Sequence, residues 1–278
     1  MSPAASSGTR SRTGRFIVTK EHRRFTEFAD AVRRHRYIGL CYGPAGVGKT
    51  LSARRYAHWD TAEPLLTTWG PRQDSDTAVY AALARARTVF FTPRVTATLR
   101  QTSEELTTLT NRVTIGINEH LGGPGTVGKH RGQAHAELVI VDESERLSPA
   151  GLEHLRDCYD RTGSGLILIG MPGMEKRLAR YPQLYSRVGF AHHCRPLAGD
   201  ELTFVLTRHW RDLGLDLDTA DFTDTQAIAA IARITSGNFR LLNRLFTQIE
   251  RIMRINELTV VTSDIVEAAR STLVIGAT

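Results

Sequence analysis

The sequence predicts an α/β fold in which a parallel sheet is flanked by helices and followed by a small all-helical lid domain. Short apolar strands alternate with amphipathic helices up to about residue 195, and a glycine-rich turn at 43–48 joins a strand to a helix. Beyond this point only helical periodicity remains. We therefore expect a disordered basic tail at 1–18, an α/β domain at 19–195 and a helical lid domain at 196–278.

The first predicted helix begins after Thr19, a residue type that caps helices, and carries Phe25, Phe28 and Val32 at helical spacing. Strands are expected where β-branched, aromatic or aliphatic residues form short runs bounded by turn residues. Because helices separate these runs, right-handed crossovers and parallel pairing are expected. The expected strands are 37–42, 88–92, 137–143 and 165–170.

The sequence predicts the helices between the strands with patterns of differing strength. Good helix formers follow the glycine-rich turn at 50–58, whereas proline and glycine interrupt 63–76, which we expect to form a loop. A short helix at 77–87 and a long one at 95–120 follow from apolar residues at three-to-four-residue spacing. Another helix should open at Ser148, since proline follows it at the first helical position.

In the helical lid domain, the strongest amphipathic pattern follows Gly237 and places a wide apolar stripe on one helix. Just before this domain, His192, His193 and Cys194 are consecutive. Adjacent residues on a strand point to opposite faces of the sheet, so we interpret them as structural residues rather than as a shared metal site.

Composition limits the class of protein. The 278 residues contain 36 Lys+Arg against 29 Asp+Glu, and the net charge of +7 favours a polyanionic partner such as nucleic acid. Cys41, Cys158 and Cys194 lack C-x-x-C spacing, so neither a disulfide framework nor a zinc site is indicated and a reducing cytoplasm is expected. The chain has no apolar run of about 18 residues and no signal-peptide pattern, so no membrane association is expected.

The glycine-rich turn matches G-x-x-x-x-G-K-S/T through Gly43, Gly48, Lys49 and Thr50. In this pattern the loop amides and the helix amino terminus surround phosphates, the lysine reaches the β and γ phosphates, and the hydroxyl binds magnesium. The motif therefore predicts a nucleoside triphosphate site. The expected phosphate-binding residues are Gly43, Pro44, Ala45, Gly46, Val47, Gly48, Lys49, Thr50 and Leu51.

A second motif, ELVIVDE at 137–143, places Asp142 and Glu143 directly after a buried strand. Ligands of parallel sheets lie at the carboxyl edge, so Asp142 is expected to complete the Mg²⁺ site with Thr50. Glu143 is expected to orient an attacking water. The alternative is an acidic pair that only precedes the following helix.

Basic residues between the second and third predicted strands are candidates for contacts with nucleic-acid phosphates. The glycine-rich segment 121–136 carries three of them at its tip, and a merely solvated loop remains the alternative. The candidates are Arg94, Arg100, Arg112, Lys129, His130 and Arg131.

The order of the phosphate loop, ELVIVDE, Tyr185-Ser186-Arg187-Val188 and GNFR, followed by a helical domain, resembles the P-loop NTPases of the AAA+ class. The forms IVDESERLSPAGLEHLRD and LILIGMPGMEKRLARYPQLYSRVG are more specifically similar to the TniB and TnsC transposition ATPases and the B protein of phage Mu. The resemblance extends from about residue 19 to the end of the chain. It implies an ATPase with ATP and Mg²⁺ as cofactors.

The resemblance also implies roles for residues outside the two motifs. Arg187 corresponds to an arginine finger that enters a neighbouring subunit's site, although a surface arginine at a helix end is the alternative. Arg240 corresponds to the lid arginine that senses the γ phosphate, and Arg244 could serve instead. Met171 stands where many relatives have Asn or Thr. Methionine cannot donate a hydrogen bond to water or phosphate, so we expect either slow turnover or a neighbouring group that takes this role.

By this resemblance the protein is expected to oligomerise as a ring or helical filament on double-stranded DNA, with little sequence preference. It would then recruit or activate a DDE-type transposase. Two alternatives remain: a helicase-loader or replication-initiation ATPase, and a nucleotide-dependent protein scaffold or signalling switch. A small-molecule kinase is disfavoured because the carboxyl-terminal domain is all-helical.

Overall fold

The computed structural model describes residues 16–122 and 135–273. Its strands are β1 Ile38–Tyr42, β2 Thr88–Phe91, β3 Leu138–Val141, β4 Gly165–Gly170 and β5 Val188–His193. Its helices are α1 Lys20–His35, α2 Lys49–Tyr56, α3 Trp59–Thr68, α4 Thr77–Ala86, α5 Leu99–Gly122, α6 Pro149–Thr162, α7 Met174–Leu178, α8 Pro182–Tyr185, α9 Gly199–Asp212, α10 Phe222–Thr235, α11 Phe239–Ile255 and α12 Ser263–Ser271. Short 3-10 turns lie at Asp74–Asp76 and Ser144–Arg146.

The five strands form one parallel sheet in the order β2-β3-β4-β1-β5. Tyr42 is paired with Gly170, and Phe91 with Val141, so the carboxyl ends of the strands share one edge. The segments that follow β1 and β3 leave from that edge, which brings the glycine-rich loop beside Asp142. The predicted parallel α/β sheet flanked by helices is confirmed.

Helices pack on the sheet through the faces that the sequence indicates. Thr19 caps α1, and Phe25, Phe28 and Val32 are buried. Ser148 caps α6 by accepting a hydrogen bond from the Gly151 amide at 3.1 Å. The capping residues predicted from the sequence therefore mark the first turns of these two helices in the structure.

The expected loop at 63–76 is wrong in its first half, because α3 extends to Thr68 with Pro64 inside it. Trp59, Ala62 and Leu66 are buried at helical spacing along one face of this helix. Burial of that face outweighs the hydrogen bond that proline cannot donate.

The described residues form two hydrophobic clusters. One spans the sheet and its helices and ends at Cys194, and the other begins at Leu197 and fills the helical region, where Trp210 is fully buried. The expected boundary at 195/196 falls between them. Residues 1–15 of the expected tail lie outside the described residues, whereas Ile17 packs against the helical cluster.

Among the helices that the structure describes, none has both the length and the apolar character needed to cross a bilayer.

Candidate nucleotide site

The loop between β1 and α2 needs glycine at three positions for two different reasons. Gly46 and Gly48 have φ angles of +79° and +99°, in the left-handed region that side chains disfavour. At Gly43 a β-carbon would lie 2.3 Å from the Cys194 carbonyl oxygen. Gly48 also begins α2 without a side-chain cap, so the first amides of α2 remain available to an anion.

Lys49 lies across this loop. Its ammonium donates hydrogen bonds to the carbonyl oxygens of Gly43 and Pro44 at 2.5 and 2.7 Å. Burial lowers the pKa of Lys49, although nearby acidic groups oppose this. The positive charge is therefore held over the loop, where the phosphates of a nucleotide would be neutralised.

Thr50 and Asp142 meet across the sheet edge. The Thr50 hydroxyl donates to Asp142 Oδ2 at 2.7 Å, and the Asp142 amide donates to the Phe91 carbonyl at 2.8 Å. Burial raises the pKa of Asp142, because its charge lies in a site of low polarity. A hydroxyl and a buried carboxylate form a hard oxygen donor set, which fits Mg²⁺.

Glu143 is held in an uncommon conformation. Its φ angle is +48°, in the left-handed region that non-glycine residues adopt only uncommonly. Its carboxylate forms an ion pair with Arg146, which also donates to the Pro93 carbonyl at 3.0 Å. Arg146 therefore restrains the residue expected to orient water. Sequence reasoning missed Arg146, since an arginine three residues after a glutamate is common on any surface.

A second carboxylate lies near the position of the unusual Met171. Met171 is exposed just after β4, and a β-carbon on Gly170 would lie 3.1 Å from Glu145 Oε2. The charge of Glu145 is also among those that raise the pKa of Lys49 against the larger effect of burial. Glu145 is thus a polar group near the end of β4 that the sequence motifs did not predict.

The helical region contacts the phosphate loop directly. The Asn238 side-chain amide donates to the Ala45 carbonyl at 2.8 Å, and the Arg240 amide donates to the Gly46 carbonyl at 3.2 Å. Asn238 also caps α11 by accepting hydrogen bonds from the amides of Arg240 and Leu241. The exposed side chain of Arg240 therefore starts from a helix end that is attached to the loop.

Arg187 lies apart from these residues. Its carbonyl accepts a hydrogen bond from the Ile38 amide, at the amino-terminal edge of the sheet. The phosphate loop begins at the other end of β1, roughly 15 Å away at about 3.3 Å per residue. The Arg187 guanidinium pairs with both oxygens of Asp160, at 2.7 and 2.9 Å. Arg187 is therefore not part of its own chain's nucleotide site.

The candidate nucleic-acid contacts differ in whether their side chains are exposed and able to reach DNA. The side chains of Arg94 and Arg100 are 77% and 87% exposed, and each pairs with one glutamate of α5. Arg112 instead donates to the Leu66 carbonyl, near the end of α3, and lies over the Trp69 ring. Its contacts are structural. Lys129, His130 and Arg131 lie outside the described residues.

A family model for the AAA domain matches residues 32–178, more than half of the chain. Together with the phosphate loop and the parallel sheet, this match shows that the chain belongs to the AAA-domain family of P-loop ATPases. The ATPase expectation is thereby confirmed.

Individual relatives span most of the chain. A "potential ATP-binding protein" of Staphylococcus aureus is 44% identical over 271 residues, which cover 94% of this chain and 97% of that protein. The Mu-like prophage FluMu DNA transposition protein B of Haemophilus influenzae is 24% identical over 240 residues, covering 83% and 71%. The Thermotoga maritima RuvB Holliday junction branch migration motor has a similar fold, with a TM-score of 0.55 at 16% identity over 92% and 70% of the two chains.

Proposed function

We propose that this ATPase is a transposition regulator of the TniB/TnsC group. It assembles on double-stranded target DNA with ATP and Mg²⁺ bound, and it recruits or activates a DDE-type transposase. The observation that carries this proposal is the similarity to the prophage DNA transposition protein B over 83% of the chain. The geometry of the site supports its nucleotide and assembly steps.

In this proposal the nucleotide occupies the edge where β1 and β3 end. Lys49 binds the β and γ phosphates, Thr50 and Asp142 hold Mg²⁺, and the loop amides surround the phosphate oxygens. When bound, Mg²⁺ neutralises negative charge on the phosphates. Glu143 orients water only after its carboxylate leaves Arg146, so the ion pair between them keeps hydrolysis slow.

Assembly is required in this proposal because Arg187, the candidate arginine finger, lies too far from the nucleotide site of its own chain to reach it. Arg187 lies at the opposite edge of the sheet, where it can face the nucleotide of a neighbouring copy. A head-to-tail contact of this kind generates rings when it closes and helical filaments when it does not. Release of Arg187 from Asp160 is a condition for its entry into the neighbour's site.

DNA contact is proposed for the segment from the end of β2 to the first turn of α5. Arg94 and Arg100 are exposed there, and phosphates would replace the α5 glutamates as their partners. Contacts to phosphates give binding with little sequence preference and strong salt dependence. Arg112 is not retained as a contact, because its guanidinium is already bound within the chain.

The test of DNA binding is the mobility of long duplex DNA with the protein and a slowly hydrolysed ATP analogue. Binding should weaken steeply with salt, and alanine at both Arg94 and Arg100 should reduce the logarithmic salt slope by about two, roughly one per lost phosphate contact. Arg161→Ala is the matched control, because Arg161 is as exposed as Arg94 but lies on α6. No retarded species at low salt would overturn the DNA proposal and favour a protein scaffold.

Strand transfer by a DDE-type transposase, taken from the gene neighbourhood where one is found, then tests the partner. Target DNA that carries the assembled ATPase should receive more insertions than naked DNA. Equal insertion into both targets would contradict the transposition role while leaving DNA binding intact, and it would favour a helicase-loader or replication-initiation ATPase.

A further inference from the structure

Three side chains of types that bind metal ions lie close together near the start of the phosphate loop. Glu21 lies in the first turn of α1, His192 is on β5, and Cys194 follows the end of that strand. One donor atom from each lies within 4.8 Å of the other two. His192 and Cys194 are two residues apart on an extended segment and so share a face. Adjacency on the strand therefore separates His193 from His192, but it does not separate Cys194 from His192.

The three side chains are largely buried, and aromatic packing holds the His192 ring in place. Glu21 and Cys194 are only 8% and 3% exposed. The His192 imidazole stacks on Phe28, with ring centroids 5.4 Å apart, and meets Phe25 edge-on. Donor groups whose positions are set by packing need little reorganisation to bind an ion.

Two donor atoms in the cluster lack a hydrogen-bond partner. Glu21 Oε1 and His192 Nε2 are both inaccessible to water and approach to 3.1 Å, an ion-pair distance, but without the alignment of a hydrogen bond. Two ligands at about 2.0–2.1 Å from one tetrahedral zinc ion lie roughly 3.3 Å apart. The spacing of the two atoms therefore matches that of neighbouring zinc ligands.

We propose that Glu21, His192 and Cys194 bind a zinc ion. A thiolate, an imidazole and a carboxylate together favour zinc over magnesium or calcium, which prefer oxygen ligands alone. Cys41 Sγ lies 3.5 Å from Cys194 Sγ and supplies an outer-shell hydrogen bond to the bound thiolate.

This ion connects the sheet, the phosphate loop and the helical region. The Cys194 amide donates to the Tyr42 carbonyl at 2.8 Å, and its own carbonyl packs against Gly43. The Glu21 amide donates to the Glu201 side chain on α9 at 2.9 Å. Zinc thus stabilises the point where the chain passes from the sheet into the helical region, and its removal loosens the loop that binds phosphate.

The test uses the full chain purified with a phosphine reductant, which keeps the thiols reduced without competing strongly for zinc. Elemental analysis should find about one zinc per chain. Replacement by Co²⁺ should produce the near-ultraviolet charge-transfer absorption of a cobalt–thiolate bond. A chelator should abolish that absorption and lower the thermal unfolding midpoint, and zinc should restore the midpoint.

Variants of the three cysteines identify the ligand. Cys194→Ser should lose the cobalt–thiolate band, Cys41→Ala, which removes the outer-shell donor, should weaken metal affinity by about tenfold or more as outer-shell changes do, and Cys158→Ser is the control that should change neither. If Cys194→Ser does not fold, His192→Asn should shift the spectrum of bound Co²⁺. A wild-type chain that folds and binds ATP but gives no cobalt–thiolate band at saturating Co²⁺ would overturn the proposal. A band retained in Cys194→Ser would overturn it equally.

Discussion

The contact between Asn238 and the phosphate loop gives a prediction whose size follows from the structure. The Asn238 side chain has two separable functions: it caps α11, and it donates one hydrogen bond to the Ala45 carbonyl. Loss of a helix cap costs about 1 kcal/mol, and loss of one neutral hydrogen bond costs about the same. The two contributions can be separated by substitution.

Asn238→Ala removes both functions, whereas Asn238→Ser keeps a capping hydroxyl but is too short to reach Ala45. The alanine variant should lose about 2 kcal/mol of stability and the serine variant about 1, which corresponds to roughly 2–4 °C of unfolding midpoint per kcal/mol. Both should weaken ATP binding by about fivefold, because both lose the bond of about 1 kcal/mol that holds the amino end of α11, and with it Arg240, at the loop.

The assays are thermal unfolding by circular dichroism and calorimetric titration with a slowly hydrolysed ATP analogue. Equal losses of affinity with unequal losses of stability would support the attachment of α11 to the loop. A role of the Ala45 bond in positioning Arg240 is refuted if Asn238→Ser binds the analogue as tightly as the wild type while Arg240→Ala binds it weakly, since the lid arginine would then act without that bond.

Three further predictions concern the carboxyl edge of β3. Glu143→Gln should keep ATP binding but hold assemblies on DNA, and unchanged phosphate release would refute its role. Arg146→Ala should raise turnover several-fold by freeing Glu143; a slower rate would contradict this. Burial raises the pKa of Asp142 above its value in the unfolded chain, so the folded state favours the protonated carboxyl. The stability that this carboxyl contributes is therefore present at low pH and is lost as the pH rises through its folded-state pKa. Asp142→Asn should therefore raise the unfolding midpoint at neutral pH, with a flatter acid dependence, while abolishing Mg²⁺-dependent turnover.

The features predicted correctly from the sequence are those with a local cause. The phosphate loop, the strand before Asp142 and the cap at Thr19 each depend on residues within a few positions of one another. Their backbone geometry follows from glycine freedom, β-branched runs and side-chain capping. Such patterns can be read without knowing which elements pack together.

The features that were missed depend on contacts between distant segments. Asn238 reaches Ala45 across 193 positions, and the cluster of Glu21 with Cys194 forms only after β5 is placed beside α1. The helix containing Pro64 likewise forms because neighbouring helices and Phe90 of β2 bury one of its faces. These contacts follow from the fold, and no local pattern specifies them.

The central claim is that a neighbouring copy completes each nucleotide site, and mixing two inactive variants tests it most directly. Lys49→Ala removes the phosphate lysine and leaves Arg187, whereas Arg187→Ala removes the finger and leaves the phosphate loop. Mixed in equal amounts with DNA and ATP, they should recover roughly a quarter of wild-type turnover, since about one interface in four pairs two intact halves. Arg156→Ala, which removes the other cation beside Asp160, should stay active by itself. No recovery at any mixing ratio would contradict the claim.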